Sequence, residues 1–253
     1  MYQIETPTPS ADFRECWSAA GRHMPYKKLF FEWLKASLTP PYLEHFSFRL
    51  RNQLFFVRVE DVDGELDCPG TLEGLFTIAD ACQGHACIIR MKKQNGTWQA
   101  LDPGSGLTCA ITGNPIDPIQ LATRENIEMT DWELQDFAVK VVGRVLEGQG
   151  HKIMSWQADP EVSPSLWFVG PEGPEWVIIR AIRYPAQEAE LPKDWQATAT
   201  NCAQVSPRGH FASVAVANAD DSFDQAQPAI PLWRGRGMYT RFTGLQLLQT
   251  GLG

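Results

Sequence analysis

Two short segments in the second half of the chain have the layout of the adjoining strands of a metal site. Ser165 lies in the first segment, residues 164–168, and Ile178 and Arg180 alternate along the second, residues 176–181. A magnesium-dependent site of this layout uses two carboxylates to bind the cation and a lysine to orient the attacking water. Serine is a weak neutral ligand and isoleucine cannot bind a cation, so only the basic group is present. These positions predict a scaffold that binds another molecule rather than cutting it.

Four acidic residues near these strands could replace the missing ligands. Asp159 and Glu161 precede the first strand, and Glu172 and Glu175 border the turn before the second. A displaced carboxylate would restore a metal site if it converged on the same point in space. However, an Asp-Pro pair is typical of a loop start, and residues 172–175 have the sequence of a solvent-exposed hairpin turn. We favour the loop and turn interpretation and keep the displaced carboxylate as the alternative.

The elements that would position these segments are a helix, three strands, a second helix and a further strand. Thr130 and Glu133 have the spacing of a capping box, and the apolar residues after them recur with the period of a helix. Gly148 and Gly150 are expected to end that helix. The elements predicted after it are strands at 151–157, 165–169 and 176–184, a helix at 195–203, and strands at 210–217 and 239–248.

The first half of the chain has the pattern of a smaller mixed unit. Apolar residues at helical spacing predict a helix over residues 26–37. The first dozen residues are polar and proline-rich and are expected to be loose, and residues 102–119 are expected to connect two domains. The remaining predicted elements are strands at 45–51 and 53–60, a helix at 71–82, and a hairpin of 86–92 and 97–101 across Asn95-Gly96.

Together these elements predict an α/β (α+β) protein with mixed β-sheets flanked by helices. The predicted domains cover residues 1–120, an N-terminal mixed α/β domain, and residues 121–253. The order of elements over residues 128–218 resembles that of the restriction-endonuclease-like superfamily, the PD-(D/E)xK fold. The resemblance implies an α-β-β-β-α-β core in the second domain.

Members of that superfamily carry an aspartate at the start of the second core strand and an acid-x-lysine triplet on the third. The aspartate of this motif falls on Ser165, the acid on Ile178 and the lysine on Arg180. The resemblance therefore implies an endonuclease-like fold with a degenerate motif, and the departures put the activity of the superfamily in question, but not its fold.

Composition and charge narrow the classes of function. The formal net charge is −8, which argues against a general nucleic-acid-binding protein, since such a protein needs a basic face to neutralise phosphates. The six cysteines include no Cys-x-x-Cys pair and the sequence has no glycine-rich phosphate loop, so we predict neither a metal nor a cofactor. We find no signal peptide and no apolar membrane span, and we therefore expect a cytoplasmic protein with reduced thiols.

An acidic protein whose metal ligands are missing is expected to bind another protein. The hypothesis from the sequence is a bacterial immunity protein that neutralises an antibacterial effector toxin, as found beside type VI secretion effectors. Many such effectors are nucleases with basic clefts, to which an acidic partner is attracted. The candidate contact residues are acidic or aromatic: Glu172, Glu175, Asp220, Asp221, Phe223, Asp224 and Trp233.

Two other classes of function stay open at this point. The first is a metal-dependent nuclease with a displaced active-site carboxylate. Residues 232–239 combine aromatic and basic side chains, which in a nucleic-acid-binding protein would stack on bases and contact phosphates. The second is a structural or regulatory module. We rank protein binding first and the nuclease second.

Overall fold

The computed structural model describes residues 9–24, 31–35, 45–68, 70–224 and 226–248. They form two compact units, which divide between Ile127 and Glu128. Each unit contains a six-stranded mixed sheet accompanied by helices. The predicted α/β (α+β) class is therefore confirmed. None of the helices in the described part of the chain is both long and apolar enough to cross a membrane.

The first unit is a sheet in the order β1-β2-β3-β4-β5, in which β6 also pairs with β4. Strands β3 and β4 are parallel, and the other neighbours are antiparallel. Its main core joins the buried side of α1, including Phe13 and Trp17, to sheet residues such as Phe48 and Phe55. The elements are α1 Ala11–His23, β1 Phe31–Lys35, β2 Phe46–Leu50, β3 Gln53–Asp61, α2 Leu72–Ala81, β4 His85–Gln94, β5 Thr97–Ala100, β6 Leu107–Cys109 and α3 Pro118–Leu121.

Three predictions for this unit are wrong. Within the range 26–37, where a helix was expected, the structure describes residues 31–35, and these form strand β1. The other residues of that range lie outside the described part of the chain. Phe31 and Trp33 are two residues apart, which places them on one face of a strand. Their ring centroids lie 5.0 and 5.9 Å from that of Phe48 on β2. This aromatic pairing across strands favours the sheet.

The chain start and the expected connection also differ from prediction. Ser10 caps α1 by accepting a hydrogen bond from the Phe13 N–H, so a helix begins within the first dozen residues, while residues 1–8 lie outside the described part. Residues 102–119 are not only a connection, because Leu107–Cys109 forms β6 and pairs with β4. The strands and helix predicted between 45 and 101 are confirmed.

The second unit contains the predicted order of helix, three strands, helix and strand, which is confirmed. The strand expected over 239–248 is divided into two short strands, β11 and β12, which both pair with β10. The elements are α4 Asp131–Gly148, β7 Lys152–Trp156, β8 Leu166–Gly170, β9 Gly173–Arg183, α5 Trp195–Cys202, β10 Gly209–Asn218, β11 Met238–Phe242 and β12 Gln246–Leu248.

This second sheet has the order β11-β10-β9-β8-β7, and β9 and β10 are its parallel pair. Alternate residues of β9 point to opposite faces. Val177 and Ile179 pack with α4, whereas Trp176 and Ile178 pack with α5. Gly209 permits the close approach of β10 to Trp176, because an added Cβ atom there would lie 2.1 Å from the indole ring.

Helix α4 begins where the sequence predicts. Thr130 accepts a hydrogen bond from the Glu133 N–H at 3.3 Å, and the Glu133 carboxylate accepts one from the Thr130 N–H at 2.9 Å. Both halves of the capping box are therefore present. This start fixes the register of the helix that packs against β9.

Candidate functional site

The three positions of the predicted degenerate motif lie at the point where strand β8 ends beside β9. The ladder between them stops at Leu166, so side chains bind the backbone of β9 beyond it. Ser165 accepts a hydrogen bond from the Ile179 N–H at 3.2 Å and donates to the Ile179 carbonyl at 3.4 Å. Gln135 of α4 donates to the same carbonyl at 2.7 Å and accepts from the Ala181 N–H at 3.1 Å. The Ser165 hydroxyl is thus part of the sheet's hydrogen bonding.

The other two motif positions are also engaged in structure. Ile178 is fully buried in the apolar cluster that includes α5. The Arg180 guanidinium donates from Nη1 to the Ile179 carbonyl at 2.8 Å and from Nη2 to Ser163 Oγ at 2.9 Å. Ser165 and Arg180 are therefore brought together at one carbonyl oxygen, while Ile178 contributes only packing.

Of the two acids upstream of β8, Asp159 has a structural role in the loop. Asp159 accepts a hydrogen bond from the Glu161 N–H at 2.9 Å, which is the geometry of a loop start. Burial lowers the pKa of Arg180, while the negative charges of Asp194 and Asp159 act to raise it. Across the described ranges, no three His, Cys, Asp or Glu side chains are grouped so that they could hold a metal ion.

Glu175 is not in a solvent-exposed turn, and that part of the prediction is wrong. The turn ends earlier, so Glu175 lies within β9 and is only 5% exposed. Its Oε2 lies 2.6 Å from His210 Nε2, and its Oε1 lies 3.6 Å from the Arg208 guanidinium. Because it is five residues from Arg180 along the strand, it faces the opposite side of the sheet. Glu172 is exposed and pairs with Arg208 at 2.5 Å.

The seven predicted contact residues lie at two ends of the second sheet. Glu172 and Glu175 lie at the start of β9, beside His210 at the start of β10. The other five belong to the loops that follow the end of β10 at Asn218. A strand rises about 3.3 Å per residue, so His210 and Asn218 are about 26 Å apart. The structure therefore does not join the two groups into one surface.

An apolar groove lies beside the carboxyl ends of β9 and β10. We call it the aromatic groove, and its cavity measures about 200 Å³. The rings of Tyr184 and Phe223 are 5.3 Å apart, and those of Phe223 and Tyr239 are 6.0 Å apart. Phe223 is 48% exposed and Tyr239 is 58% exposed. The small side chains of Ala215 and Ala217 also line the groove.

The loop around Phe223 is held in an unusual conformation. Phe223 has a φ of 57°, which is uncommon for a bulky residue because its Cβ crowds the backbone. Asp221 accepts hydrogen bonds from the Phe223 N–H at 2.9 Å and from the Ile230 N–H at 2.8 Å. Asp221 is therefore a loop-organising residue, whereas Asp220 and Asp224 are exposed.

Two residues of the segment after this loop, Trp233 and Arg234, are engaged within the fold. The Arg234 side chain is 1% exposed and lies 2.8 Å from the Glu133 carboxylate in an ion pair. Trp233 is half-buried and forms a β-bridge with Glu128. Trp233 and Arg234 thus anchor the start of α4, and Arg234 is not available to a phosphate, whereas Arg236 and Tyr239 of the same segment are exposed.

Several residues of the groove were not predicted from the sequence. Tyr184, Tyr239, Ala215 and Ala217 carry no motif, and they meet only because β11 pairs with β10. A usable sequence feature was the alternation of small residues in β10 with an aromatic residue at the end of β9. Arg241 also lines the groove and donates to Gln187 at 2.7 Å.

Comparison with known proteins gives one family match. Residues 132–248 match a family described as a domain of unknown function, DUF8840. The matched range covers α4 from its second residue and all the strands of the second sheet, including those that form the aromatic groove. No curated protein and no solved structure matches the chain.

Proposed function

We propose that this chain is a cytoplasmic protein-binding protein, an immunity protein that neutralises an antibacterial effector toxin with a basic surface. The contact site in this proposal is the aromatic groove. The observation that carries it is the exposure of Phe223 and Tyr239 side by side over an apolar floor. Such anchors surrounded by polar groups are typical of the energetically dominant part of a protein interface.

The groove has features that favour a macromolecular partner. Its open side presents large rigid aromatic side chains, which bury much apolar area for little loss of conformational entropy. The left-handed backbone at Phe223 costs free energy in the isolated protein. The Asp221 hydrogen bonds stabilise that conformation and keep the ring at the mouth of the groove.

Charge favours a basic partner over an acidic one. The chain has a net charge of −8, and the exposed Asp220 and Asp224 are in the loop that carries Phe223. Lysine and arginine side chains of a partner could reach these carboxylates while its apolar residues enter the groove. Arg241 at the groove already has the Gln187 side chain as a partner.

The state of the motif positions supports binding over nuclease catalysis. The hydroxyl that would stand in for the first carboxylate serves the Ile179 backbone, and Ile178 offers no ligand atom. Of the alternative acids, Glu175 faces the other side of the sheet and pairs with His210, and the described residues contain no group of three His, Cys, Asp or Glu side chains that could hold a metal ion. These observations support a binding role for this unit rather than a nuclease activity.

The test is co-expression of the full chain with the product of the neighbouring gene. We expect that product to be toxic alone, to be relieved by this chain, and to bind it with a measurable Kd. Phe223→Ala and Tyr239→Ala are each expected to weaken binding by about 30-fold or more, which corresponds to about 2 kcal/mol. Leu247→Ala is the matched control, because Leu247 is 65% exposed but belongs to β12 at the other end of β10.

A second assay separates binding from cleavage. The purified chain should leave plasmid and single-stranded DNA intact with magnesium or manganese present. Cleavage that Asp159→Asn abolishes would overturn the proposal in favour of the displaced-carboxylate nuclease. A non-toxic neighbouring product, or toxicity that the chain does not relieve, would reject the immunity role.

A further inference from the structure

Two cysteines of the first unit lie opposite each other on neighbouring strands. Cys87 of β4 pairs with Cys109 of β6 in an antiparallel ladder. Cys87 is fully buried in the core of this unit, and Cys109 is half-buried. Both thiols are free. Since directly opposite residues share a face of the sheet, the two side chains project the same way.

The hydrogen bonds of the ladder show which kind of pair this is. Ala110, which directly follows Cys109, donates its N–H to the carbonyl of Ala86, the residue before Cys87, at 3.0 Å. Bonded and non-bonded pairs alternate along antiparallel strands, so Cys87 and Cys109 form a non-hydrogen-bonded pair. Such pairs have the shorter Cα separation, about 4.5 Å, which lies within the range that a disulfide can span.

We propose that Cys87 and Cys109 form a reversible disulfide when the protein meets a low-molecular-weight disulfide such as oxidised glutathione. The bond joins β4 to the three-residue strand β6. It is a modification site in the unit that does not contain the aromatic groove. It therefore goes beyond the function proposed above and does not depend on it.

The environments of the two sulfurs assign the order of the steps. Hydrogen bonds from Thr112 lower the pKa of the Cys109 thiol, whereas burial raises the pKa of the Cys87 thiol. Thiolate is the attacking species in disulfide exchange, and an attacking sulfur must also be accessible. Cys109 is therefore the residue that reacts first with the external disulfide.

The exchange then proceeds in two balanced steps. The Cys109 thiolate attacks one sulfur of oxidised glutathione, which forms a mixed disulfide and releases one glutathione thiolate that takes up a proton. The Cys87 thiol, whose S–H donates to the His85 carbonyl at 3.6 Å, loses its proton and attacks Cys109 Sγ as the thiolate, and the departing glutathione takes up that proton. The second glutathione leaves as a thiol. Two protein thiols are oxidised and one glutathione disulfide is reduced.

The experiment uses the full-length reduced protein in a series of glutathione redox buffers. Free thiols are counted under denaturing conditions, and the oxidised sites are mapped by differential alkylation and mass spectrometry. We expect the count to fall from six to four, with Cys87 and Cys109 joined and no glutathione retained. Reduction with dithiothreitol should restore six. Retained glutathione on Cys109 with a reduced Cys87, or loss of a different pair, would overturn the proposal.

Two variants make the assignment independent of the wild-type result. Cys87→Ser is expected to trap one glutathione on Cys109, because the resolving thiol is missing. Cys109→Ser is expected to leave Cys87 reduced, because Cys87 is inaccessible. Cys202→Ser, in the other unit, is the control and should still form the bond. Circular dichroism verifies that each variant is folded, and trapping at Cys87 in Cys109→Ser would contradict the order of steps.

Discussion

The carbonyl oxygen of Ile179 lies beyond the end of the ladder between β8 and β9, and side chains supply the hydrogen bonds that β8 does not make there. It accepts hydrogen bonds from Gln135, Ser165 and Arg180. A buried backbone group without a partner costs free energy comparable to a lost hydrogen bond. These side chains therefore have a structural role, and two of them, Ser165 and Arg180, belong to the degenerate motif predicted from the sequence.

Gln135 gives the sharpest prediction at this scale. It is 2% exposed, and its amide pairs with the Ile179 carbonyl and the Ala181 N–H. Gln135→Leu keeps much of the volume but leaves the Ala181 N–H without its acceptor, while the Ile179 carbonyl keeps Ser165 and Arg180 as donors. We therefore expect a loss of about 1–3 kcal/mol in the free energy of unfolding of the second unit. Urea unfolding measures this loss, and hydrogen exchange should show a less protected Ala181 amide. Gln196→Leu, an exposed change on α5, should cost no more than about 0.5 kcal/mol.

The buried Glu175 and exposed Glu172 form a natural comparison, because both contact Arg208. Glu175→Leu removes the carboxylate beside His210, so we expect a loss of about 3 kcal/mol in the free energy of unfolding. Glu172→Leu removes an exposed ion pair and should cost less than about 1 kcal/mol. Urea unfolding of the two variants side by side checks the difference. Equal losses would show that the Glu175–His210 contact does not stabilise the fold.

At the scale of elements, predictions succeeded where local chemistry decides the structure. Thr130 and Glu133 specify the start of α4 through their own hydrogen bonds, and Asn95-Gly96 suits the hairpin turn because both residues have positive φ. The sequence around Phe31 and Trp33 is compatible with either period, so only the pairing with β2 decides it. Likewise, the aromatic groove depends on pairing between strands that are distant in sequence, which a local pattern does not contain.

The capping box allows an element-scale test. Thr130→Ala removes the hydrogen bond to the Glu133 N–H, and we expect a loss of about 1 kcal/mol in the free energy of unfolding. Thr130→Ser retains the hydroxyl and should recover most of that loss. Thermal unfolding followed by circular dichroism compares the two. A Thr130→Ala protein as stable as the wild type would show that packing, rather than the cap, fixes the helix start.

At the scale of the whole molecule, the chain has 30 acidic and 22 basic residues, and in the proposed complex this excess of negative charge would attract a basic partner. Long-range attraction between opposite charges raises the association rate, whereas buried anchors govern how long a complex lasts. In the proposed complex, the aromatic groove and its acidic loop would therefore have separable kinetic roles. Because screening by salt weakens only the first role strongly, the two can be distinguished by experiment.

Charge and anchor variants of the same loop test this separation. Asp220→Asn with Asp224→Asn removes two exposed charges and should lower the association rate about 3- to 10-fold at low salt, with little change in the dissociation rate. Phe223→Ala should instead raise the dissociation rate, because it deletes an anchor of the interface. Surface plasmon resonance against the cognate partner at two salt concentrations measures both rates. At high salt, the association rate of the double Asn variant should match that of the wild type. A loss of binding that is independent of salt would show that these carboxylates make direct contacts rather than attracting the partner from a distance.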